Sequence, residues 1–426
     1  MKKSFTNAHS HIFTVNHAPD YFLRTGIGNA TFANWADKFL QKDGTRWAMK
    51  GFLKVYLLFA SKERRSTVQR YIEFVEIGTS ANQSDIYNSL LKNYVKFGDF
   101  KIIVLTQVLD YLDLERSSNH IRIQTQVEEV ADIKRNALYQ NNIYPFLGVD
   151  ARQTGFDLLE DWAKKYISPQ YGFYGLKIYP ASGFFPFDRR FDALWAWAEE
   201  NQIPIMTHCT RGGSFYLGRF ESLLSTGALK VASLNEDAVS MPSIRSRISN
   251  VMNDPSVQTK NRIWCNIFGH PENYKPILDK YPKLKICLAH LGGANEVLRG
   301  DPNATAADIA LGNDYPVYLK DNWCEHVIEL MKTYENVYSD ISYTLSDPKA
   351  LGIIVSMFRQ PNMVDKFGTP LINKLMYGTD FYLTQQEEKG DEPSLENLFL
   401  TSFNQNEITK IAYDNTTAYL TSVIFP

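Results

Sequence analysis

Cysteine is scarce in this chain. Four residues, Cys209, Cys265, Cys287 and Cys324, are scattered over 426 positions with no Cys-x-x-Cys pair. A chain this long with so few thiols carries no disulfide framework, and the usage fits a reducing compartment. An excess of one charge is also missing. The formal net charge is −2 at pH 7, and the densest basic stretch, "SKERRSTVQR" from Ser61, contains an acid and reads as a solvated helix start. A nucleic-acid partner and an anionic membrane surface are therefore disfavoured. No apolar run approaches the ~20 residues that span a bilayer. The basic opening "MKKSF" leads into "TNAHSH" rather than the apolar core of a signal peptide. We expect a soluble cytoplasmic protein, free of internal repeats and low-complexity segments.

What is present is core-forming material, 44% hydrophobic and 13% aromatic. Short β-branched apolar runs recur: "KSFTNAHSH" from Lys3, "FKIIVLTQV" from Phe100, "YPFLGVD" from Tyr144, "YGLKIYP" from Tyr174, "IPIMTH" from Ile203, "LKICLAH" from Leu284, "NVYSDIS" from Asn336 and "KLMYGTD" from Lys374. Amphipathic helical patterns fall between them, including "VEEVADIKRNALYQNN", "GFDLLEDWAKKY", "RRFDALWAWAEENQ" and "HVIELMKTYENV". Strands alternating with helices imply a parallel sheet covered by helices. Eight such units with apolar strands predict an α/β fold, a distorted (β/α)8 TIM barrel, as one domain over residues 1–426. Two connections, 14–99 and 210–283, exceed ordinary barrel loops and are expected to be helical insertions over the mouth.

Polar residues gather where these strands end. In "AHSHIF", His9 and His11 are two apart, so a strand projects them to one side. "IPIMTH" ends in His208, "LKICLAH" in His290 and "LMYGTD" in Asp380. Barrel closure would bring four imidazoles and a carboxylate around one mouth, the end that carries chemistry in such barrels. These are ligand types for zinc and similar divalent ions. An ion held this way acidifies a bound water to near neutral pH, and a remaining histidine can orient substrate. His17, His120, His270 and His326 fall in predicted loops or helices and read as structural or surface residues.

Together "AHSHIF", "GLKIYP", "IMTHCTRGG", "ENYKPILDKYPKLKICLAHLGG", "VYSDIS", "MYGTDF" and the tail "NEITKIAYDNTTAYL" resemble the amidohydrolase superfamily, specifically its amidohydrolase-2 branch. The resemblance implies a metal held by His9, His11, His208 and Asp380. It implies that Asp380 also moves the proton of the attacking water, and that His290 acts on substrate or on a second metal. Lys177, in "GLKIYP", corresponds to the strand-four lysine that is carboxylated and bridges two ions in some members. One ion is expected here, zinc first, with two ions and a carboxylated Lys177 as the alternative. Dimers are common in that branch, so a homodimer is consistent with it.

Three further residues are candidates. Arg152 in "GVDAR" and Arg211 in "THCTRGG" follow strands three and five and could clasp a substrate carboxylate through the guanidinium fork. They could equally pair with Asp150, Asp340 or other acids of the mouth. Asp340 could orient a ligand histidine or cap the next helix. Aromatics in "SFYLGRF" and "APDYFLR" could wall a pocket or pack in the core. The expected activity is metal-dependent hydrolysis of an amide, lactone or ester-like bond in a small molecule. A non-oxidative decarboxylase of an aromatic or unsaturated acid would use the same ligands. A catalytically silent ligand-binding barrel is the third alternative.

Overall fold

The computed structural model describes residues 4–17, 76–78, 80, 82–109, 120–152, 159–211, 216–225, 241–310 and 315–426. The readings of "SKERRSTVQR" and "APDYFLR" lie outside them. Eight strands form one parallel sheet in sequence order: β1 Ser4–Ser10, β2 Asp99–Leu105, β3 Ile143–Gly148, β4 Gly175–Ile178, β5 Ile205–Thr207, β6 Ile286–Leu288, β7 Val337–Asp340 and β8 Leu375–Met376. β1 meets β8 without a regular ladder. Ala8 N–H donates to the Tyr377 carbonyl at 2.8 Å, Asp380 N–H to the His9 carbonyl at 2.9 Å, and His11 N–H to the Phe381 carbonyl at 2.5 Å. These bonds nearly close the barrel, and the eight-unit reading of the sequence holds.

The central strands are largely apolar because both their faces are covered, while β1 (SFTNAHS) and β7 (VYSD) carry polar side chains. In "KIIVL", Ile103 and Leu105 point inward, with Ala8, Phe146, Met206, Cys287 and Met376. Ile102 and Val104 point outward into the helical layer. That layer includes α1 Gln83–Leu91, α2 His120–Arg135, α3 Leu159–Tyr166, α4 Asp192–Glu200, α5 Pro242–Met252, α6 Asn261–Gly269, α7 Trp323–Thr333, α8 Pro348–Phe358, α9 Glu392–Ser402 and α10 Asn415–Leu420. Side chains that prefer caps start several of them: Asn82 for α1, Asn322 for α7 and Asp347 for α8, where Pro348 follows at the first helical position. The lower end of the inner cluster is completed by Tyr419 and Leu420 of α10.

Two local departures from the sequence reading have clear causes. The helix expected through "VEEVADIKRNALYQNN" stops at Arg135. Asn136 accepts the Leu138 N–H on its side chain at 2.9 Å, starting a turn that leaves Leu138 exposed. The second departure is a one-residue slip between β1 and β2, where Asn7 faces Ile102 but Ser10 faces Val104. A bulge of this kind re-aims side chains. Thr6 and Ala8 lie on the inner face below it, and His9 and His11 take that face above it, while Asn7 points out toward Tyr94.

Candidate metal centre at the barrel mouth

His9 lies within the β1 bulge, between Asn7 and Ser10. Its ring Nδ1 donates to Asp340 Oδ2 at 2.9 Å, across the mouth on β7. A carboxylate only accepts, so the proton sits on Nδ1 and the lone pair on Nε2. His11 is locked the same way, with Nδ1 donating to the Leu105 carbonyl at 3.2 Å. Both Nε2 atoms then face one oxygen, Asp380 Oδ1, at 3.4 Å from His9 and 3.3 Å from His11. Burial pushes the His9 imidazole down to about 4, against the pull of Asp340, and lowers His11 as well, so both rings are neutral at pH 7.

The same logic runs through the other two histidines. His290 Nδ1 faces the Ser342 carbonyl at 3.0 Å and the Ser342 hydroxyl oxygen at 2.9 Å, and that hydroxyl in turn donates to Asp340. His290 therefore carries its proton on Nδ1 and accepts at Nε2 from His208 Nδ1, 3.1 Å away. That leaves the His208 lone pair on Nε2. In all four imidazoles the neighbours thus select the Nδ1–H form.

Asp340 organises this arrangement. Besides the His9 ring it accepts the backbone N–H groups of His290 and Ser342, each at 3.0 Å. Burial opposes its charge, but His9, His290 and the Ser342 hydroxyl hold its carboxyl well below the usual range. With both oxygens taken, Asp340 serves as an orienting group, and the cap of α8 falls to Asp347. Lys177, on β4, is buried beside this cluster. Burial pushes its ammonium down to about 8 while Asp380 and Asp340 pull it up.

The donor set fits a cation. His9 Nε2 and Asp380 Oδ1 are buried with no hydrogen-bond partner among the described residues. Two ligands on one tetrahedral zinc, each ~2.0–2.1 Å from it, stand about 3.3 Å apart, which matches the separations to Asp380. Lone pairs converging on a carboxylate oxygen repel one another, and a divalent ion among them turns that repulsion into ligation. Backbone strain gathers here too. Among the described residues, non-glycine positive φ occurs at Gln202, His290, Leu291, Tyr343 and Asp380, and the last four lie at the ends of β6, β7 and β8. Gly378 lets β8 approach, since a Cβ there would stand 2.8 Å from the His9 Cβ.

The two arginines are engaged elsewhere. Arg152 grips Asp150 with Nε at 2.9 Å and Nη2 at 2.6 Å, and donates to the Ser182 carbonyl at 2.8 Å. Arg211 donates to Glu296 at 3.0 Å and to the Leu319 and Asp321 carbonyls at 2.7 Å. Tyr216 of "SFYLGRF" packs in the core against Phe268, with ring centroids 5.5 Å apart. The sequence reading did not single out Ser342, although its place two residues after Asp340 is the spacing at which an Asp accepts from the backbone.

A second cluster joins His270, His326 and Asp321, with both Nε2 atoms on Asp321 Oδ2, at 2.6 and 2.8 Å. Glu272 N–H donates to His270 Nδ1 at 3.1 Å, so His270 Nε2 carries a proton and is a donor. With Arg211 also on Asp321 at 3.2 Å, this group is a hydrogen-bonded brace. Burial, reinforced by Arg247, pushes His270 down to about 3. The unfolded chain, titrating near 6.5, therefore binds the extra proton first, and stability falls as pH drops below that value. Between pH 6.5 and 5 this residue should account for a loss of about 2 kcal/mol. Urea unfolding at the two pH values should show a smaller loss by about that amount in His270→Asn, which keeps an acceptor for Glu272 N–H. An equal loss in both proteins would place the pH sensitivity elsewhere.

The Amidohydrolase family model matches residues 147–420. That span includes Lys177, His208, His290, Asp340 and Asp380, and His9 and His11 precede it. No curated protein matches the sequence. Among solved structures, the chain is similar to a probable 2-pyrone-4,6-dicarboxylic acid hydrolase from Acinetobacter baumannii, with 11% identity, 98% of each chain covered and a TM-score of 0.47. It is also similar to 4-oxalomesaconate hydratase from Rhodopseudomonas palustris, with 13% identity, 98% of this chain and 95% of that chain covered and a TM-score of 0.44. For IDCase from Metarhizium anisopliae the values are 13% identity, 79% and 78% coverage and a TM-score of 0.41. With well over half its length matched by the family model, the chain belongs to the amidohydrolase family.

Proposed function

We propose that the protein is a metal-dependent hydrolase whose His9, His11, His208 and Asp380 hold one divalent ion, zinc in the first instance. The reading rests on one observation: two neutral imidazoles aim their lone pairs at a buried carboxylate oxygen with no proton between them. When bound, such an ion acidifies a water to near neutral pH and polarises the bond under attack. The chain's own groups do the rest. Asp380 takes the proton of the attacking water and hands it to the leaving group. His290, its ring fixed by Ser342, is the second proton-handling group. Lys177 faces the substrate as an ammonium. The substrate is a small organic molecule with an amide, lactone or ester-like bond.

Metal analysis of the purified protein, together with turnover assays, tests this. About one ion per chain and water-dependent cleavage within an amide, lactone and ester panel are expected. Two ions per chain with a lysine carbamate signal would replace the one-ion form by a bridged pair. CO₂ release from hydroxybenzoate-like acids without cleavage of the panel would move the assignment to a decarboxylase. A protein that takes up no divalent ion would refute the reading.

A further inference from the structure

Behind the ligands, on the outer side of the β1–β8 seam, lies a buried polar ring with no part in the chemistry above. Asn7 is its hub. The side-chain oxygen of Asn7 accepts the backbone N–H groups of His9, at 3.1 Å, and of Thr379, at 3.2 Å. Its amide nitrogen donates to the Thr379 hydroxyl at 2.8 Å and to the Tyr94 hydroxyl at 2.9 Å. All four hydrogen-bonding positions of the amide are thereby used, so its orientation is determined. Tyr94 passes the interaction on, donating to Glu392 Oε2 at 2.6 Å.

Glu392 is an unusual terminus for such a chain. It opens α9, yet the cap of that helix is Asp391, which accepts the Ser394 N–H. The carboxyl is buried, and among the described residues its Oε1 has no hydrogen-bond partner. A side chain with a capping duty or a surface ion pair would not need to be here. A phenol that donates to a carboxylate becomes a better acceptor for the next donor. Burial pushes the Glu392 carboxyl up to about 7, and in its ionised form above that pH it tightens the Tyr94–Asn7 bond, while Asn7 holds the backbone of one ligand, His9, and of the residue before another, Asp380.

We propose that Glu392, acting through Tyr94 and Asn7, is a positioning residue that sets the spacing between His9 and Asp380 for the ion. The inference rests on the metal reading above. It concerns affinity for the ion, and its effect arises from the side of the seam opposite to Asp340.

Two variants of the full chain test it at pH 8, where the Glu392 carboxyl is mainly ionised: Tyr94→Phe, which removes only the linking hydroxyl, and Glu392→Gln, which keeps the shape and removes the charge. Zn²⁺ is titrated into metal-free protein against a chromophoric chelator, and the thermal midpoint of the metal-free protein is measured in parallel. Groups that orient ligands from behind are worth 10–100-fold in metal affinity. The Zn²⁺ Kd is expected to rise about tenfold or more in each variant while the metal-free midpoint moves little. The double variant should be no weaker than the poorer single one, because both lie on one path. A Kd within twofold of the parent in either variant overturns the proposal, and so does a loss of affinity that only tracks a fall in midpoint. If the parent chain itself binds no Zn²⁺, the metal reading fails first, and the titration of the parent shows this separately.

Discussion

Replacing Asp380 by asparagine is expected to abolish hydrolysis, by about 10³-fold or more in kcat/KM, and at the same time to stabilise the metal-free protein. The two effects have one origin. In the metal-free state the Asp380 oxygen faces the lone pairs of His9 and His11 at 3.4 and 3.3 Å and gains nothing from either. The side-chain amide of the Asp380→Asn variant turns that repulsion into donation, and a new buried hydrogen bond is worth about 1 kcal/mol net. The backbone does not oppose the change, because φ at this position is 57°, a left-handed conformation that asparagine tolerates as well as aspartate. Function suffers because a ligand and a proton acceptor are lost together. General-base catalysis alone contributes about 10²–10⁴-fold, and even outer partners of a metal cost 10–100-fold in affinity. The check is urea unfolding in chelator beside turnover with added metal. A fall of more than about 1 kcal/mol in metal-free stability would make Asp380 a structural carboxylate and remove it from the site.

This opposition between stability and activity explains why much of the candidate site stands out in the sequence. Histidines and an aspartate at strand ends have no folding reason to be there, so their spacing in "AHSH", "MTH", "LAH" and "GTD" stands out against apolar strands. Most of the strands were legible for the complementary reason, since burial on both faces makes them short apolar runs. What the sequence did not carry is whatever depends on contact between strands. The β1 bulge exists only as a register against β2. The proton positions of His9 and His11 are chosen by Asp340 and by the Leu105 carbonyl. Arg211 looked like a carboxylate clasp because it follows a ligand strand, but Glu296 and Asp321 approach it from other segments. Asn7 and Thr379 are 372 positions apart, and an asparagine two places before a histidine pair signals nothing by itself.

The second large effect lies at Asp340, where two substitutions are expected to separate folding from function. Asp340→Ala removes every acceptor from a fully buried position. The backbone N–H groups of His290 and Ser342 and the His9 ring would be left unpaired. At about 1–3 kcal/mol for each stranded donor, a loss of roughly 4 kcal/mol or more is expected, a large share of what a folded domain has to lose. Asp340→Asn should behave differently. Its oxygen can still meet the His290, Ser342 and hydroxyl donors, which turns its NH₂ toward His9 Nδ1. That nitrogen must then become the acceptor, so His9 shifts its proton to Nε2, where it meets Asp380 Oδ1. The metal-free fold gains a hydrogen bond and survives, but the lone pair that would bind the ion is gone. The expected result is a metal-free unfolding midpoint near that of the parent, with Zn²⁺ affinity weaker by 10–100-fold. Long-range ¹⁵N–¹H spectra of the imidazoles should show His9 in the Nε2–H form in the variant and the Nδ1–H form in the parent. An Nδ1–H signal in both, with unchanged affinity, would mean that Asp340 does not select the tautomer and that the order of the site has another source.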